Sequence, residues 1–142
     1  MTPEPPVLFI RPKLAFWIES QWNDSFLATL QALREGCYEK TRCLDNAGRN
    51  WSIIAADLLT PASFLDKLLP WRKLPVALTL GVPTRAVLDD EVEALCEILS
   101  HPDTDFPFAL ASPPVAIQAK FKSAQSIPEL ISIAKASCRG AA

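Results

Sequence analysis

His101 is the only histidine in the chain, and Asp103 and Asp105 follow it at alternate positions in the stretch "HPDTD". Imidazole is the one side chain whose ordinary pKa lies beside neutral pH. General acid–base work would therefore fall to His101 or to a carboxylate with a shifted pKa. The same three residues could ligate a metal, but one loop without a second ligand cluster supplies few donors. The plainer reading is a polar loop that ends the preceding helix. Cys96 could act as a nucleophile with His101 as its base, yet five residues of separation put the two on different faces of a helix. The chain has four glycines, no glycine-rich phosphate loop and no Gly-x-Ser-x-Gly elbow. No cofactor and no metal are expected, and an enzyme using His101 is the least favoured functional class.

Charge distribution is more informative. The net charge is −2, from 14 basic and 16 acidic residues, which gives no reason to expect a nucleic-acid partner. From Ala86 to Ala119, however, there is no Lys or Arg, while Asp89, Asp90, Glu91, Glu93, Glu97, Asp103 and Asp105 all fall in that window. Asp90, Glu93 and Glu97 stand at i, i+3 and i+7 and so share one face of a helix, away from its apolar stripe. Such a face produces a negative field that can steer a basic partner. It is also what a solvated helix face requires, and acids in a first turn complement the helix dipole. Of the tryptophans Trp17, Trp22, Trp51 and Trp71, packing is the default reading and Trp51 is expected in the core. Trp71, between Pro70 and the pair Arg72-Lys73, is the candidate binding anchor.

The elements that would position these residues follow from patterning. At 142 residues, 49 % apolar and 21 % charged, the chain fits one globular domain with its own core. Val7 to Arg11 reads as a short extended segment that Leu14 to Ile18 continues. Asn23 or Asp24 is expected to cap a helix carrying Phe26, Leu27, Leu30 and Leu33, stopped by Gly36. Cys37 to Leu44 and Trp51 to Leu58 are expected strands joined by the turn Asp45 to Gly48. The second is apolar on both sides, with Trp51, Ile53, Ala55 and Asp57 facing one way, and is expected to be covered on both faces. Thr60-Pro61 opens a short helix that buries Phe64, Leu65, Leu68 and Leu69. Leu74 to Leu80 is a strand, its Pro75 suggesting an edge or a strand start. Asp89 caps a helix with the stripe Leu88, Val92, Leu95, Cys96 and Leu99. Two further helices run from about Ser112 to Lys122 and from a capping box at Ser126 and Glu129, with Leu130, Ile131 and Ala134 inward.

Cys37, Cys43, Cys96 and Cys138 form no Cys-x-x-Cys, and reduced structural thiols are expected. Cys37 and Cys43, six residues apart on one regular strand, would be too distant to bond. The opening "MTPEPPVLFIRPKLAFWIES" lacks a basic leader, and Arg11 and Lys13 interrupt its apolar run, so no secretory signal is expected. With no membrane-length stretch, the expected location is cytoplasmic.

The element order and several phrases carry a family resemblance: "LDNAGRNW" in the hairpin, "PVALTLG" in the following strand, an acidic helix ending in "HPD", and the closing "SAQSIPELISIAKA". Over roughly Phe26 to Ala136 the chain resembles small bacterial immunity proteins encoded beside polymorphic toxins of the contact-dependent growth inhibition and Rhs type. The resemblance implies a cytoplasmic protein that binds a cognate toxin C-terminal domain, in many cases a nuclease with a basic cleft, and occludes its active site. It implies no catalytic residues; the charge balance and the lack of a membrane-length stretch lead to the expectation of no nucleic-acid and no membrane partner. The expected fold class is α/β (α+β), a single domain with a central, mostly antiparallel sheet and packed helices. The expected partner-binding residues are Asp90, Glu93, Glu97, Asp103, Asp105 and Trp71. The alternative is a small structural or adaptor subunit of a larger assembly.

Overall fold

The structure is a computed structural model that describes residues 2–11, 14–19, 21–22, 25–69, 71–100 and 113–137. In chain order its elements are β1 (Val7–Arg11), β2 (Leu14–Ile18), β3 (Ser25–Ala28), α1 (Leu30–Arg34), β4 (Arg42–Leu44), β5 (Arg49–Leu58), α2 (Phe64–Leu68), β6 (Leu74–Leu80), β7 (Thr84–Arg85), α3 (Leu88–Ser100), α4 (Pro114–Lys122) and α5 (Ile127–Ala136). The strands form one antiparallel sheet in the order β2-β1-β4-β5-β6-β3, with β7 beside the start of β5. The fold is α+β in one domain, as the patterning predicts.

The strand covered on both faces is β1, whose Val7-Leu8-Phe9-Ile10 is an unbroken apolar run. Leu8 and Ile10 join Leu44 under α3, α4 and α5, where Leu95, Ile98, Phe121 and Leu130 fill one core. Val7 and Phe9 point the other way, into a second core with Trp22, Cys43, Trp51, Ile53 and Val76. There Phe9 stacks on Trp22 at 5.9 Å between ring centroids, and Phe26 meets Phe9 edge-on at 5.6 Å. β1 is thus the wall between two cores, and its four buried side chains are each worth roughly 1.5–3 kcal/mol of burial.

β5 departs from simple alternation. Ile53 pairs with Leu80, but Ala55 already pairs with Thr79, so Ile54 is an extra residue, a β-bulge. The bulge flips the side-chain parity. Trp51 and Ile53 face the second core before it, and Ala56 and Leu58 face that same core after it. Ser52, Ile54 and Asp57 are exposed. The expectation of a strand covered on both sides therefore fails at β5, because a period of two cannot reveal an inserted residue.

Other boundaries also move. Leu14 to Ile18 does not continue β1 but returns along it, with Leu14 opposite Arg11. Phe26 and Leu27 are not helical: β3 pairs with β6, Phe26 opposite Val76, and only Leu30–Arg34 is helix, capped by Thr29. Gly36 does stop that helix, at φ 67°. Its N–H donates to the Leu33 carbonyl at 3.2 Å and the Cys37 N–H to that of Ala32 at 3.1 Å, the paired bonds of a Schellman stop. Cys37 is consequently in a turn, and β4 is confined to Arg42–Leu44. The cap of α2 is Ser63 rather than Thr60, and Asp89 lies within the first turn of α3 rather than capping it. α4 and α5 stand where expected. Ser126 accepts from the Glu129 N–H, while the Glu129 carboxylate reaches the N–H of Gln125.

The β4–β5 turn is held by Asp45, which is fully buried. Its carboxylate accepts from the N–H groups of Glu4, Ala47 and Arg49 at 3.2, 3.0 and 2.9 Å, from Arg49 Nε at 2.9 Å and from Trp51 Nε1 at 3.0 Å. Burial by itself would raise its pKa. The donors from Trp51, Arg49 and Glu4, with the Arg49 charge, outweigh it and hold the carboxyl below its ordinary value. A group so depressed contributes stability that is complete above about pH 4–5 and is lost as pH falls through its folded pKa. Asp45→Asn should cost about 3 kcal/mol at pH 7, since an amide nitrogen would face donors. The gap from wild type should narrow below about pH 4 as the native carboxyl takes up its proton. Urea unfolding from pH 3 to 7 checks both.

Candidate partner-binding surfaces

α3 is fixed on three sides. Leu95, Ile98 and Leu99 are buried, with Leu88, Val92 and Cys96 packed against the same core. Ile98 belongs to the buried face although it lies outside the predicted stripe. α4 clamps the helix further: Gln118 Nε2 donates to the Cys96 carbonyl at 3.0 Å, and Cys96 Sγ approaches the Gln118 carbonyl at 3.8 Å. Glu91 is only 3 % exposed and forms an ion pair with Arg42 of β4. One acid of the run thus faces inward and locks the helix to the sheet.

Asp90, Glu93 and Glu97 remain exposed on the opposite side. They sit together on a helix whose rotation is set by the buried residues and by Glu91, so their carboxylates form a field of fixed direction. Asp89, Glu93 and Glu97 also border a groove of about 420 Å³ between α3 and α4, floored by Val92 and Cys96 and bounded by Lys122. Asp103, Asp105 and His101 lie outside the described residues, as does Cys138.

Trp71 is 69 % exposed, and it is not alone. The connection from β5 to β6 carries Leu59, Phe64, Leu65 and Leu68 at 53, 78, 52 and 57 % exposure. The expectation that α2 buries Phe64, Leu65 and Leu68 is reversed. Phe64, Leu65 and Leu68 occupy one arc of the helix, and Asp66 stands opposite them. It is Asp66 that turns inward: Ser63 Oγ accepts from its N–H at 3.2 Å, its carboxylate accepts from the Ser63 N–H at 2.9 Å, and Arg72 donates to it at 3.1 Å. These partners hold its pKa below the ordinary value. The "SFLD" of Ser63 to Asp66, a cap with an acid three residues on, was the sequence signal for this orientation. The structure places the acidic face and the Trp71 ridge on different elements and does not merge them into one cluster.

Cys37, Cys43 and Cys96 are free. Burial, with Asp45 nearby, pushes Cys43 up to about 12, and burial also raises Cys96. Among the described residues no group of three or more His, Cys, Asp or Glu is placed to hold a metal ion, and no helix is long and apolar enough to cross a membrane.

Comparison with protein-family models, with curated proteins and with solved structures finds no match, so the surfaces rest on their own geometry. That geometry separates Glu91 sharply from its neighbours. Glu91→Ala should cost about 2–3 kcal/mol by leaving Arg42 unpaired at the sheet. Asp90→Ala and Glu93→Ala should each change stability by no more than about 0.5 kcal/mol. Thermal and urea unfolding of the three variants measures the difference.

Proposed function

We propose that the chain is an immunity-type binding protein: in the cytoplasm it captures a cognate toxin domain and occludes its active site. The observation that carries the reading is the exposed triad Asp90, Glu93 and Glu97 on a helix that Glu91 and the core lock in rotation. Exposed carboxylates of fixed direction suit a basic cleft, such as that of a nuclease, because they steer encounter over distances of about a Debye length. The groove bordered by Asp89, Glu93 and Glu97 offers apolar contact from Val92 and Cys96 beside those charges, the combination of a wet charged rim around an apolar patch. The family resemblance supplies the biological setting, and the chain acts there by binding.

Exchanging Asp90, Glu93 and Glu97 for Lys together should slow association with the toxin domain encoded beside this chain at least tenfold at low salt. It should also flatten the salt dependence of the rate, since screening acts over about 8 Å at physiological ionic strength. Stopped-flow binding at low and high salt measures both. Unchanged association by a well-folded triple variant would move the toxin contact away from α3.

A further inference from the structure

The face of the sheet that carries α3, α4 and α5 over β1 and β4 continues without those helices over β5, β6 and β3. Alternation fixes which residues it bears. Val76, Leu58 and Phe26 face the second core, so Pro75, Leu59 and Leu27, one position along each strand, face outward. Leu27 pairs with Pro75, and the Leu59 N–H donates to the Pro75 carbonyl at 3.2 Å, so the three form one cross-strand row. Leu27 is 57 % exposed, and the bulge residue Ile54 is 61 % exposed. Leu59 then leads directly into the outward-facing α2 and Trp71.

We propose that this face pairs with the same face of a second copy of the chain, forming a two-fold homodimer. The area fits. Leu59, Phe64, Leu65, Leu68 and Trp71, with Leu27 and Ile54, together present on the order of 800 Å² at their fractional exposures. That sum is comparable to the ~800 Å² per partner of a standard interface. The charges are self-complementary. Asp57, two residues before Leu59 and exposed, lies on the bare sheet rows, while the exposed Lys67 and Lys73 flank the ridge. A two-fold contact sets the ridge of each copy over the sheet rows of the other, bringing lysines to Asp57 twice over. A second copy is also the one partner present at all times, which a face this apolar needs in water. The proposal is independent of toxin binding, since a monomeric chain would leave that reading untouched.

Light scattering after gel filtration and sedimentation equilibrium test it, at chain concentrations of about 1–100 µM, where standard interfaces associate. The expected mass is twice the 15.6 kDa of the chain. Leu68→Asp and Trp71→Ala alter exposed side chains, so each should keep the native circular dichroism and shift the mass to that of one chain. Asp57→Lys should weaken association at least tenfold, and adding Lys67→Asp and Lys73→Asp should restore it. This rescue decides the matter even if the apolar variants fail to fold. A monomer across the whole range overturns the proposal, as does a dimer that survives both folded apolar variants or a charge exchange without rescue. A monomer that floats with anionic vesicles also overturns it and assigns the ridge to a membrane surface.

Discussion

The fold depends on a carboxylate with no access to water. Asp45 directly follows β4 and gathers donors from the turn it begins, from the strand that follows and from the N-terminal segment at Glu4. A backbone bond from the Asn46 N–H to the Glu4 carbonyl at 2.9 Å reinforces the last of these. Glu4 precedes β1 by only a few residues, so the same knot that closes the hairpin also delivers β1 to the edge of β4. Because β1 divides the two cores, the register of the hairpin and the partition of the core are decided at one site. Arg49 completes the arrangement by lying over the Trp51 ring at 5.3 Å while it pairs with Asp45. A buried ion pair is not by itself a source of large net stability. Its importance here is that its alternatives are costly, since any other turn would strand the charge in the core.

From that point the molecule divides. Over β1 and β4 the helices cover the sheet, and α3 is pinned by Arg42 and Glu91 so that its remaining acids look outward. Over β5, β6 and β3, among the described residues, the same face carries no helix from the C-terminal half. The Ile54 bulge makes this division possible, because it lets one strand feed the second core at both ends while shifting its outer residues by one position. Two strand groups find side-chain partners: Tyr38 Oη donates to the Leu27 carbonyl of edge strand β3 at 2.9 Å, and Glu39 accepts from the Ala56 N–H of β5, beyond the end of its ladder with β4, at 3.2 Å.

Much of this was legible in the residues. β6, α3, α4, α5, the Asp45–Gly48 turn and the Gly36 stop follow from periodicity and from local chemistry that tertiary context does not override. The acidic face of α3 was visible in its spacing. What was not visible has definite causes. Phe26, Leu27, Leu30 and Leu33 fit a helical period, but Phe26 and Leu27 are claimed by pairing with β6, a long-range contact that no local pattern encodes. The bulge at Ile54 is silent because its flanking residues are apolar on either parity. The apolar arc of α2 reads as a core face, because such arcs usually face inward. Ser63 and Asp66 form a capping box instead, Arg72 holds Asp66, and the arc is left to solvent. The inward role of Glu91 was hidden in a run of like residues, where spacing alone does not say which acid turns toward a basic strand.

The proposed function requires that the chain binds its partner through α3. Amide hydrogen exchange, measured on the chain alone and with a candidate toxin domain of the proposed class, is the test. The predicted result is a complex in which exchange slows most strongly across Leu88–Ser100 and the facing turn of α4, while β1 and the Asp45 hairpin are already protected in both states. A complex that leaves α3 unchanged, or the absence of any complex, would contradict it.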